Sequence, residues 1–236
     1  MKITWFGHAA FRLEFADKVV LIDPFFSGNP GFTADLATAS AGATHILLTH
    51  GHGDHIGDTV AIVQQAEAAG TSIPVVANPE VCGYLGGQGL SLFEMMNTGG
   101  TIALDGFTVT MVRADHSSGG SGANPTYLGN PNGLIVKAAG EPTVWHLGDT
   151  DIFSDMALLA ELHAPDIAFV PIGDRFTMGP DVAALAVKRF LNVKTVVPCH
   201  YASFPPLVKD ASRFTAALAD SGTQVIVAKS GDAFSV

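Results

Sequence analysis

Six residues at positions 50–55, with the sequence HGHGDH, contain three histidines and one aspartate. They directly follow residues 44–49, which predict a buried strand, and directly precede residues 56–69, whose apolar spacing predicts a helix. By chance the pattern H-x-H-x-D-H arises in about one of a thousand chains of this composition. Any fold of this chain must therefore place a polar, histidine-rich corner where a buried strand turns into a helix.

The spacing within this segment suits metal binding. In an extended backbone, side chains two positions apart point the same way, so His50 and His52 can hold one ion while Asp54 and His55 face another direction. The two intervening glycines relieve crowding at the turn. Zinc takes nitrogen, sulfur and carboxylate ligands in fours or fives, so this segment cannot complete two sites by itself. Other parts of the chain must supply the remaining ligands.

Strands alternate with helices along most of the chain. Alternating apolar and polar residues predict a hairpin over 11–23, and further strands are predicted over residues 75–77, 107–112, 134–136, 143–145, 167–170, 195–197 and 224–228. Further helices are predicted over residues 153–162, 182–191 and 211–219. This alternation indicates an α/β fold, and because no charged or Pro-rich linker interrupts it, we predict one domain over residues 1–236. Residues 117–132, rich in Gly, Ser, Asn and Pro, predict a long loop.

Composition limits the compartment and the partners. The chain has 12 Lys and Arg against 22 Asp and Glu, and the net charge of −10 opposes broad contact with nucleic acid or an anionic membrane. We find no apolar run near the ~18 residues of a membrane span and no signal-peptide pattern at the start. Two cysteines, Cys82 and Cys199, suit a reducing compartment. We therefore expect a cytoplasmic protein that acts on a small molecule.

A hydrophobic fraction of 47% fits either a large core or the buried face of a homo-oligomer.

Three further polar residues stand at the ends of predicted strands, namely His116, Asp149 and His200. With them the chain resembles the metallo-β-lactamase-fold hydrolases, whose five motifs match in order at Asp23, residues 50–55, His116, Asp149 and His200. The segments WFGH at 5–8, GDTD at 148–151, GDRFTMG at 173–179 and PCHY at 198–201 more closely resemble the UPF0173 metal-dependent hydrolases, relatives of ascorbate-6-phosphate lactonase.

The resemblance implies a four-layer αβ/βα sandwich with a dinuclear metal site at one edge of its two sheets. It assigns the first ion to His50, His52 and His116, the second ion to Asp54, His55 and His200, and a bridging position to Asp149. It also implies that Asp23 orients the ligands by hydrogen bonding without binding metal. Zinc is the expected metal, and imidazole and carboxylate ligands also accept Mn, Fe, Co and Ni.

The implied activity is hydrolysis of a small ester, lactone or phosphodiester by a hydroxide bound to two metal ions. Two divalent ions, two ligand carboxylates and one hydroxide leave a formal charge of about +1, which attracts an anionic substrate. A metal lowers the pKa of bound water from 15.7 to about 7, so no serine or cysteine nucleophile is needed. Asp54 and Asp149 are thus expected to take part in catalysis as ligands, and residues 117–132 to shape the pocket. Cys199 stands beside His200 instead of at the cysteine-ligand position of broad-spectrum β-lactamases, which argues against antibiotic hydrolysis.

Three alternatives remain at this point. RNA-processing nucleases of the same fold share H-x-H-x-D-H, although they add an RNA-binding arm or domain, and the charge here is wrong for RNA. A metal-binding sensor with little turnover is a second possibility, against which the intact Asp149 argues. Redox di-iron proteins of this fold usually carry a glutamate where His52 stands, so His52 favours hydrolysis.

Two residues have open roles. His8 either handles a leaving-group proton at the edge of the site or hydrogen-bonds a turn. Arg175 either binds a phosphate or carboxylate of the substrate or forms an ion pair with a neighbouring acid. We count both among the candidate catalytic residues. His45 and His146 lie within predicted strands, and we do not expect them to bind metal.

Overall fold

The computed structural model describes residues 1–120 and 125–236. Residues 121–124, part of the predicted loop 117–132, lie outside this range. The chain divides into two compact units. Unit 1 comprises residues 1–97, 117–131 and 229–236, and unit 2 comprises residues 98–116 and 132–228. Each unit contains one seven-stranded sheet. The single domain over residues 1–236 stays a prediction.

Strands and helices are mixed in both units, which confirms the α/β class. The strands are β1 (Lys2–Trp5), β2 (Phe11–Phe15), β3 (Lys18–Ile22), β4 (His45–Leu47), β5 (Val75–Ala77), β6 (Phe93–Met95), β7 (Thr101–Leu104), β8 (Phe107–Arg113), β9 (Asn132–Ala138), β10 (Val144–His146), β11 (Ile167–Pro171), β12 (Thr195–Cys199), β13 (Gln224–Val225) and β14 (Ala233–Ser235). The helices are α1 (Leu36–Ser40), α2 (Gly53–Ile56), α3 (Thr59–Ala68), α4 (Pro79–Gly86), α5 (Met156–His163), α6 (Pro180–Ala186) and α7 (Ser212–Leu218), with a π-helical turn over Val187–Leu191 after α6. None of these helices is long and apolar enough to cross a bilayer.

The sheet of unit 1 has the order β14-β1-β2-β3-β4-β5-β6. Strands β14 to β3 pair antiparallel, and strands β3 to β6 pair parallel. In β2 the residues Phe11, Leu13 and Phe15 are buried and alternate with half-buried polar residues, as the sequence predicts. Because β3 and β4 run parallel, their carboxyl ends meet at one edge of the sheet, where Asp23 follows β3 and Thr49 follows β4.

A buried cluster packs on one face of this sheet. Leu21, Ile46 and Val75 from three neighbouring strands contact the buried side of α3, where Ile62 and Val63 lie. Burying each such aliphatic side chain contributes about 1.5–3 kcal/mol. The cluster therefore fixes α3 against the strands whose ends carry the histidine-rich segment.

The sheet of unit 2 has the order β13-β12-β11-β10-β9-β8-β7. Strands β7 to β10 pair antiparallel and β10 to β13 parallel, so β8, β10 and β12 run in the same direction. Every residue of β11 and β12 is buried, which explains their continuous apolar sequences. The shared direction puts the carboxyl ends of β8, β10 and β12 at one edge of the sheet.

The helix predicted over residues 56–69 is observed as α3, and the short helix α2, which the pattern did not predict, precedes it with a break at Gly57 and Asp58. Gly57 has a φ of +48°, and a Cβ there would lie 2.5 Å from the Cα of Phe25 and from the carbonyl oxygen of Pro24. The Asp58 carboxylate accepts hydrogen bonds of 2.8 Å from the backbone N–H groups of Phe26 and Ser27. The break is thus produced by close packing against residues 24–27, which are distant in sequence.

Several other elements differ from the sequence prediction. The pattern did not predict β1, β6, β7, β14, α1 and α4, most of which are short or glycine-containing. Helix α4 did carry a start signal, since Asn78 caps it by accepting a 2.8 Å bond from Val81 N–H and Pro79 is its first residue. The strand predicted over 224–228 is reduced to Gln224–Val225.

Candidate metal centre

The histidine-rich segment of unit 1 leaves β4 in an extended conformation and enters α2. His52 is the N-cap of α2, with φ −70° and ψ 149°. The Nε2 atom of His50 and the Nδ1 atom of His52 lie 2.9 Å apart. Because Zn–N bonds are about 2.0–2.1 Å long, two nitrogens at this separation fit around one ion.

Asp23, which is completely buried, contacts the imidazole of His55 directly and that of His50 through the Thr49 hydroxyl. Its Oδ1 accepts a 2.8 Å bond from Thr49 N–H, and its Oδ2 accepts a 2.6 Å bond from the Thr49 hydroxyl and lies 2.7 Å from Nδ1 of His55. The Thr49 oxygen in turn lies 3.0 Å from Nδ1 of His50. Both imidazoles thus turn Nδ1 toward this carboxylate network, and their Nε2 atoms are directed away from it.

His8 contacts Asp54 within unit 1. Its Nε2 lies 3.0 Å from Asp54 Oδ2, and the ring has no exposed surface. The backbone oxygen of His8 accepts a 2.9 Å bond from Trp5 Nε1. Nitrogen or oxygen atoms of His8, Asp54 and His55 all lie within 4.8 Å of one another. His8 therefore stabilises a turn through its backbone and contacts a candidate ligand through its ring.

The histidine-rich segment is also contacted by three residues of the predicted loop 117–132, namely Ser117, Ser118 and Leu128. The hydroxyl of Ser118 accepts a 2.9 Å bond from Gly51 N–H and donates a 2.8 Å bond to the carbonyl oxygen of Leu128. Leu128 is buried and packs so closely that a Cβ on Gly51 would lie 2.4 Å from its Cβ. Ser117 Oγ lies 3.4 Å from Nε2 of His52. These contacts fix the position of Gly51, the residue between the candidate ligands His50 and His52.

A second cluster lies in unit 2, at the common edge formed by β8, β10 and β12. The Oδ2 atom of Asp149 lies 3.0 Å from Nε2 of His200 and 3.6 Å from Nε2 of His116. Asp149 and His200 are buried, and His116 is half-buried. One carboxylate oxygen thus lies within reach of two imidazole nitrogens, as a ligand shared between metal ions would require.

The turn that carries Asp149 is held by hydrogen bonds within unit 2. Nδ1 of the buried His146 accepts a 3.0 Å bond from Gly148 N–H. Thr150 Oγ1 accepts a 2.9 Å bond from Asp115 N–H, one residue before His116. These bonds connect the turn after β10 with the segment after β8.

Arg175 lies in the turn 173–179, which is attached to the same cluster. Met178 N–H donates a 3.2 Å bond to the carbonyl oxygen of Thr150, beside Asp149. Gly173 packs against His200, since a Cβ on Gly173 would lie 2.2 Å from the His200 carbonyl oxygen. Arg175 is exposed, and no carboxylate of the described residues lies within 4.0 Å of its guanidinium. The ion-pair alternative for Arg175 therefore has no support within residues 1–120 and 125–236.

Burial disfavours ionisation of one thiol and one phenol, those of Cys82 and Tyr201. Both cysteines are buried, and burial raises the pKa of Cys82 to about 11. Burial also raises the pKa of Tyr201, which follows His200, to about 12. These two groups therefore keep their protons at neutral pH.

Sequence reasoning did not identify four residues that position the clusters: Thr49, Ser118, His146 and Gly173. Thr49 and His146 stand close in sequence to the candidate ligands His50 and Asp149, and this proximity is a signal that could have identified them. Ser118 and Gly173 contact Gly51 and His200, from which they are far apart in sequence, so a local pattern could not reveal them. His45 lies in β4, with Nδ1 3.0 Å from its neighbour Thr44 Oγ1.

Comparison with known proteins adds to this geometry. Residues 2–200 match the family model described as "Beta-lactamase superfamily domain". A UPF0173 metal-dependent hydrolase of Azorhizobium caulinodans is 70% identical over 236 residues, 100% of both chains. The structure of Igni18, a metallo hydrolase from the archaeon Ignicoccus hospitalis, is 32% identical with a TM-score of 0.86 and covers 100% of this chain and 98% of its own. The metallo-β-lactamase fold protein YhfI from Bacillus subtilis is 14% identical with a TM-score of 0.74, covering 99% and 98% of the two chains. The predicted metallo-β-lactamase fold is thereby confirmed.

Proposed function

Because this chain belongs to the UPF0173 metal-dependent hydrolases of the β-lactamase superfamily, we propose that it hydrolyses a small ester, lactone or phosphodiester with two divalent metal ions. The observation that carries the proposal is the carboxylate of Asp149, whose Oδ2 lies near Nε2 of both His116 and His200. A buried carboxylate between imidazoles is costly to maintain unless a cation or hydrogen bonds compensate for it.

The proposed ligands follow the motif order. We assign the first ion to His50, His52 and His116, the second ion to Asp54, His55 and His200, and both ions to Asp149. Two observations support the assignment in unit 1. His50 and His52 present nitrogens 2.9 Å apart, and Asp23 contacts the Nδ1 atom of His55, which leaves Nε2 directed toward the candidate ligands. Support in unit 2 comes from the Asp149 contacts.

The donor set fits zinc. It consists of imidazole nitrogens and carboxylate oxygens, which zinc accepts readily and which Mn, Fe, Co and Ni also accept. Carboxylate hydrogen bonds to the imidazoles, as Asp23 forms with His55, fix the tautomer and raise the basicity of a ligand. We therefore propose zinc as the native metal.

When bound, the two ions supply a nucleophile from water at neutral pH and stabilise negative charge on the reacting group. The protein contributes position and charge. Asp23 and Thr49 hold the imidazoles, His8 holds a proton at Nε2 beside the Asp54 carboxylate, and Arg175 supplies an exposed guanidinium that can bind a phosphate or carboxylate. We count His8 and Arg175 among the catalytic residues of the proposal, together with Asp54 and Asp149.

The proposed partner is a small anionic molecule. The ions and their carboxylate ligands create local positive charge in a chain whose net charge is −10, which also argues against nucleic acid and anionic membranes. A cytoplasmic location is part of the proposal because neither Cys82 nor Cys199 forms a disulfide. So is a homo-oligomer, because Leu158 and Leu162 of α5 are 55% and 64% exposed.

The proposal is tested by metal analysis of the untagged protein together with a panel of p-nitrophenyl esters, lactones, bis-p-nitrophenyl phosphate and RNA. We expect about two metal ions per chain, and an activity that Asp149→Ala lowers at least 100-fold because a shared ligand is lost. Asp220→Ala, at an exposed position in unit 2, is the matched control. Absence of bound metal after reconstitution would contradict the site, and cleavage of RNA alone would favour the nuclease alternative.

A further inference from the structure

Two neighbouring helical segments of unit 2 lie side by side on one face of its sheet. Helix α5 connects β10 to β11, and α6 with its π-helical turn connects β11 to β12. Because these three strands are adjacent and parallel, right-handed connections place both segments on the same face of the sheet. The π-helical turn packs directly beside α5. The outer sides of the two segments are therefore neighbours and face solvent together.

These outer sides carry exposed leucines. In α5, Met156 and Ala160 are buried, whereas Leu158 and Leu162, four positions apart on one side of the helix, are exposed. Leu185 of α6 is exposed as well. A solvated helix side normally carries polar residues. Helix α7, which packs beside α6, follows that rule, since its exposed residues are Ser212, Arg213, Thr215 and Ala216. Exposed leucines are thus specific to α5 and α6 in this layer of helices.

The charged residues beside the leucines have opposite signs on the two segments. Glu161 lies on α5, and Lys188 and Arg189 lie in the π-helical turn, all three exposed. Within residues 1–120 and 125–236, none of the three forms an ion pair at 4.0 Å or less. One segment thus offers an acid, and its neighbour offers two bases. We call the exposed set the α5–α6 patch, which consists of Leu158, Glu161, Leu162, Leu185, Lys188 and Arg189.

We propose that the α5–α6 patch is the interface of a two-fold symmetric dimer, in which α5 of each protomer packs against α6 and the π-helical turn of its partner. The inference rests on the homo-oligomer of the proposed function and specifies its surface and its arrangement. In a two-fold interface one patch serves both protomers, so the patch must be complementary to itself. An acid on one segment and bases on the next satisfy this condition when the two-fold axis runs parallel to the helices.

The charges distinguish this arrangement from the other two-fold packing of the same surface. If α5 packed against the partner's α5, Glu161 would face the partner's Glu161 and bases would face bases, which is unfavourable. When α5 packs against the partner's π-helical turn, Glu161 faces the partner's Lys188 and the partner's Arg189. The leucines then contact the partner's Leu185 and the aliphatic stems of the basic side chains. Burial of the leucines supplies the driving force, and the charges fix the orientation.

Sedimentation velocity of the full metal-loaded chain over micromolar concentrations tests the interface. We expect a wild-type species of twice the chain mass of 24.5 kDa. Leu162→Asp places a charge in the apolar contact and is expected to weaken dimerisation by about 100-fold. Leu162 is exposed, so the variant should keep the circular dichroism spectrum and metal content of the wild type. Val227→Asp is the matched control, because Val227 is also an exposed apolar residue of unit 2 and lies outside both segments.

A charge exchange tests the arrangement. Glu161→Lys alone, and Lys188→Glu/Arg189→Glu together, each place like charges opposite one another and are expected to weaken dimerisation by about 10-fold. Combining all three substitutions exchanges the signs and should restore the wild-type affinity. In a dimer built by α5 against α5, the three sets of substitutions would leave the affinity unchanged, because like charges would face one another in every case.

The outcomes separate the interface from the chemistry. A monomeric wild type, or a dimer that Leu162→Asp weakens no more than Val227→Asp does, overturns the interface and leaves the metal-dependent hydrolase intact. Affinity that the combined charge exchange does not restore, or that neither partial exchange lowers, overturns the arrangement. Conversely, if Asp149→Ala retains metal and activity, the proposed function fails even where the dimer forms.

Discussion

His8, Asp23 and His200 have φ angles of +52°, +46° and +57°. A non-glycine residue in the left-handed region costs of order 1 kcal/mol or more and persists where surrounding contacts compensate. Asp23 is compensated by its bonds to Thr49, and His200 follows a strand of which every residue is buried. Three of the eight non-glycine residues with positive φ among the described residues thus belong to, or directly contact, the two clusters.

At the residue scale, Gly173 is predicted to be essential for the position of His200. In Gly173→Ala the new Cβ would lie 2.2 Å from the His200 carbonyl oxygen and 2.9 Å from its Nδ1, so the His200 turn must shift. We expect a loss of about 1–3 kcal/mol in the free energy of unfolding and reduced metal content. Urea denaturation and metal analysis measure the two effects.

Gly83→Ala is the control for this prediction. The same methyl group at Gly83 meets no heavy atom of the described residues within 4 Å and should leave stability equal or higher, since alanine favours a helix. If Gly173→Ala behaves like Gly83→Ala, the close packing of Gly173 against His200 does not position the ligand.

At the scale of elements, the parallel and antiparallel pairings of each sheet bring strand ends together. In unit 1, β3 and β4 end beside each other and supply Asp23 and the histidine-rich segment. In unit 2, β8, β10 and β12 end at one edge and are followed by His116, Asp149 and His200. Long-range hydrogen bonds then fix the loops, of which the Ser118 contacts are an example.

The loop that contains Ser118 is predicted to support the metal segment. Ser118→Ala removes the acceptor of the Gly51 N–H and the donor to the Leu128 carbonyl, both of which are buried. An unsatisfied buried polar group costs about 1–3 kcal/mol, so we expect a matching loss of unfolding free energy and weaker metal binding. Isothermal calorimetry with zinc measures the affinity.

Two variants check the Ser118 prediction. Ser118→Thr keeps the hydroxyl and should recover zinc affinity. Tyr127→Phe removes a hydroxyl from the same loop at a position that is 67% exposed and should have no effect. Equal zinc affinity in Ser118→Ala and the wild type would show that the loop does not support the metal segment.

At the scale of the whole molecule, acid stability includes a contribution from Asp166. Its carboxylate accepts a 2.7 Å bond from Lys194 Nζ and a 3.0 Å bond from Thr143 N–H, and these contacts hold the pKa of Asp166 below its usual value. The native state thus favours the ionised form. The resulting stability is present above the unfolded-state pKa of about 3.9 and is lost as the pH falls through the lower native pKa.

Asp166→Asn is therefore predicted to lower the free energy of unfolding by less than about 1 kcal/mol at pH 7, because Lys194 is 82% exposed and the pair is screened by solvent. The difference from the wild type should shrink toward zero near pH 2–3. Urea denaturation across this pH range measures it, with Asp220→Asn as the exposed control. A difference that does not change with pH would disprove the linkage.

Much of the fold was predictable because its signals are local. The β2–β3 hairpin follows from alternating burial at Phe11, Leu13 and Phe15, and the alternation of strands and helices predicts the α/β class. The helix predicted over residues 56–69 is observed as α3, whereas the short helix α2 before it was not predicted, because the packing of Gly57 against Phe25 that ends α2 is not a local signal. Short elements such as α1 and β6 escaped detection because a few residues carry too little periodicity.

The amino-acid sequence by itself determined the identity and order of the candidate ligands, since H-x-H-x-D-H and the residues after the apolar strands are patterns of adjacent residues. Tertiary structure alone decided how those side chains are oriented. Asp23 bonds to Thr49 across 26 positions and Ser118 to Gly51 across 67 positions. Such contacts depend on strand pairing and packing between distant segments, which local sequence patterns do not encode.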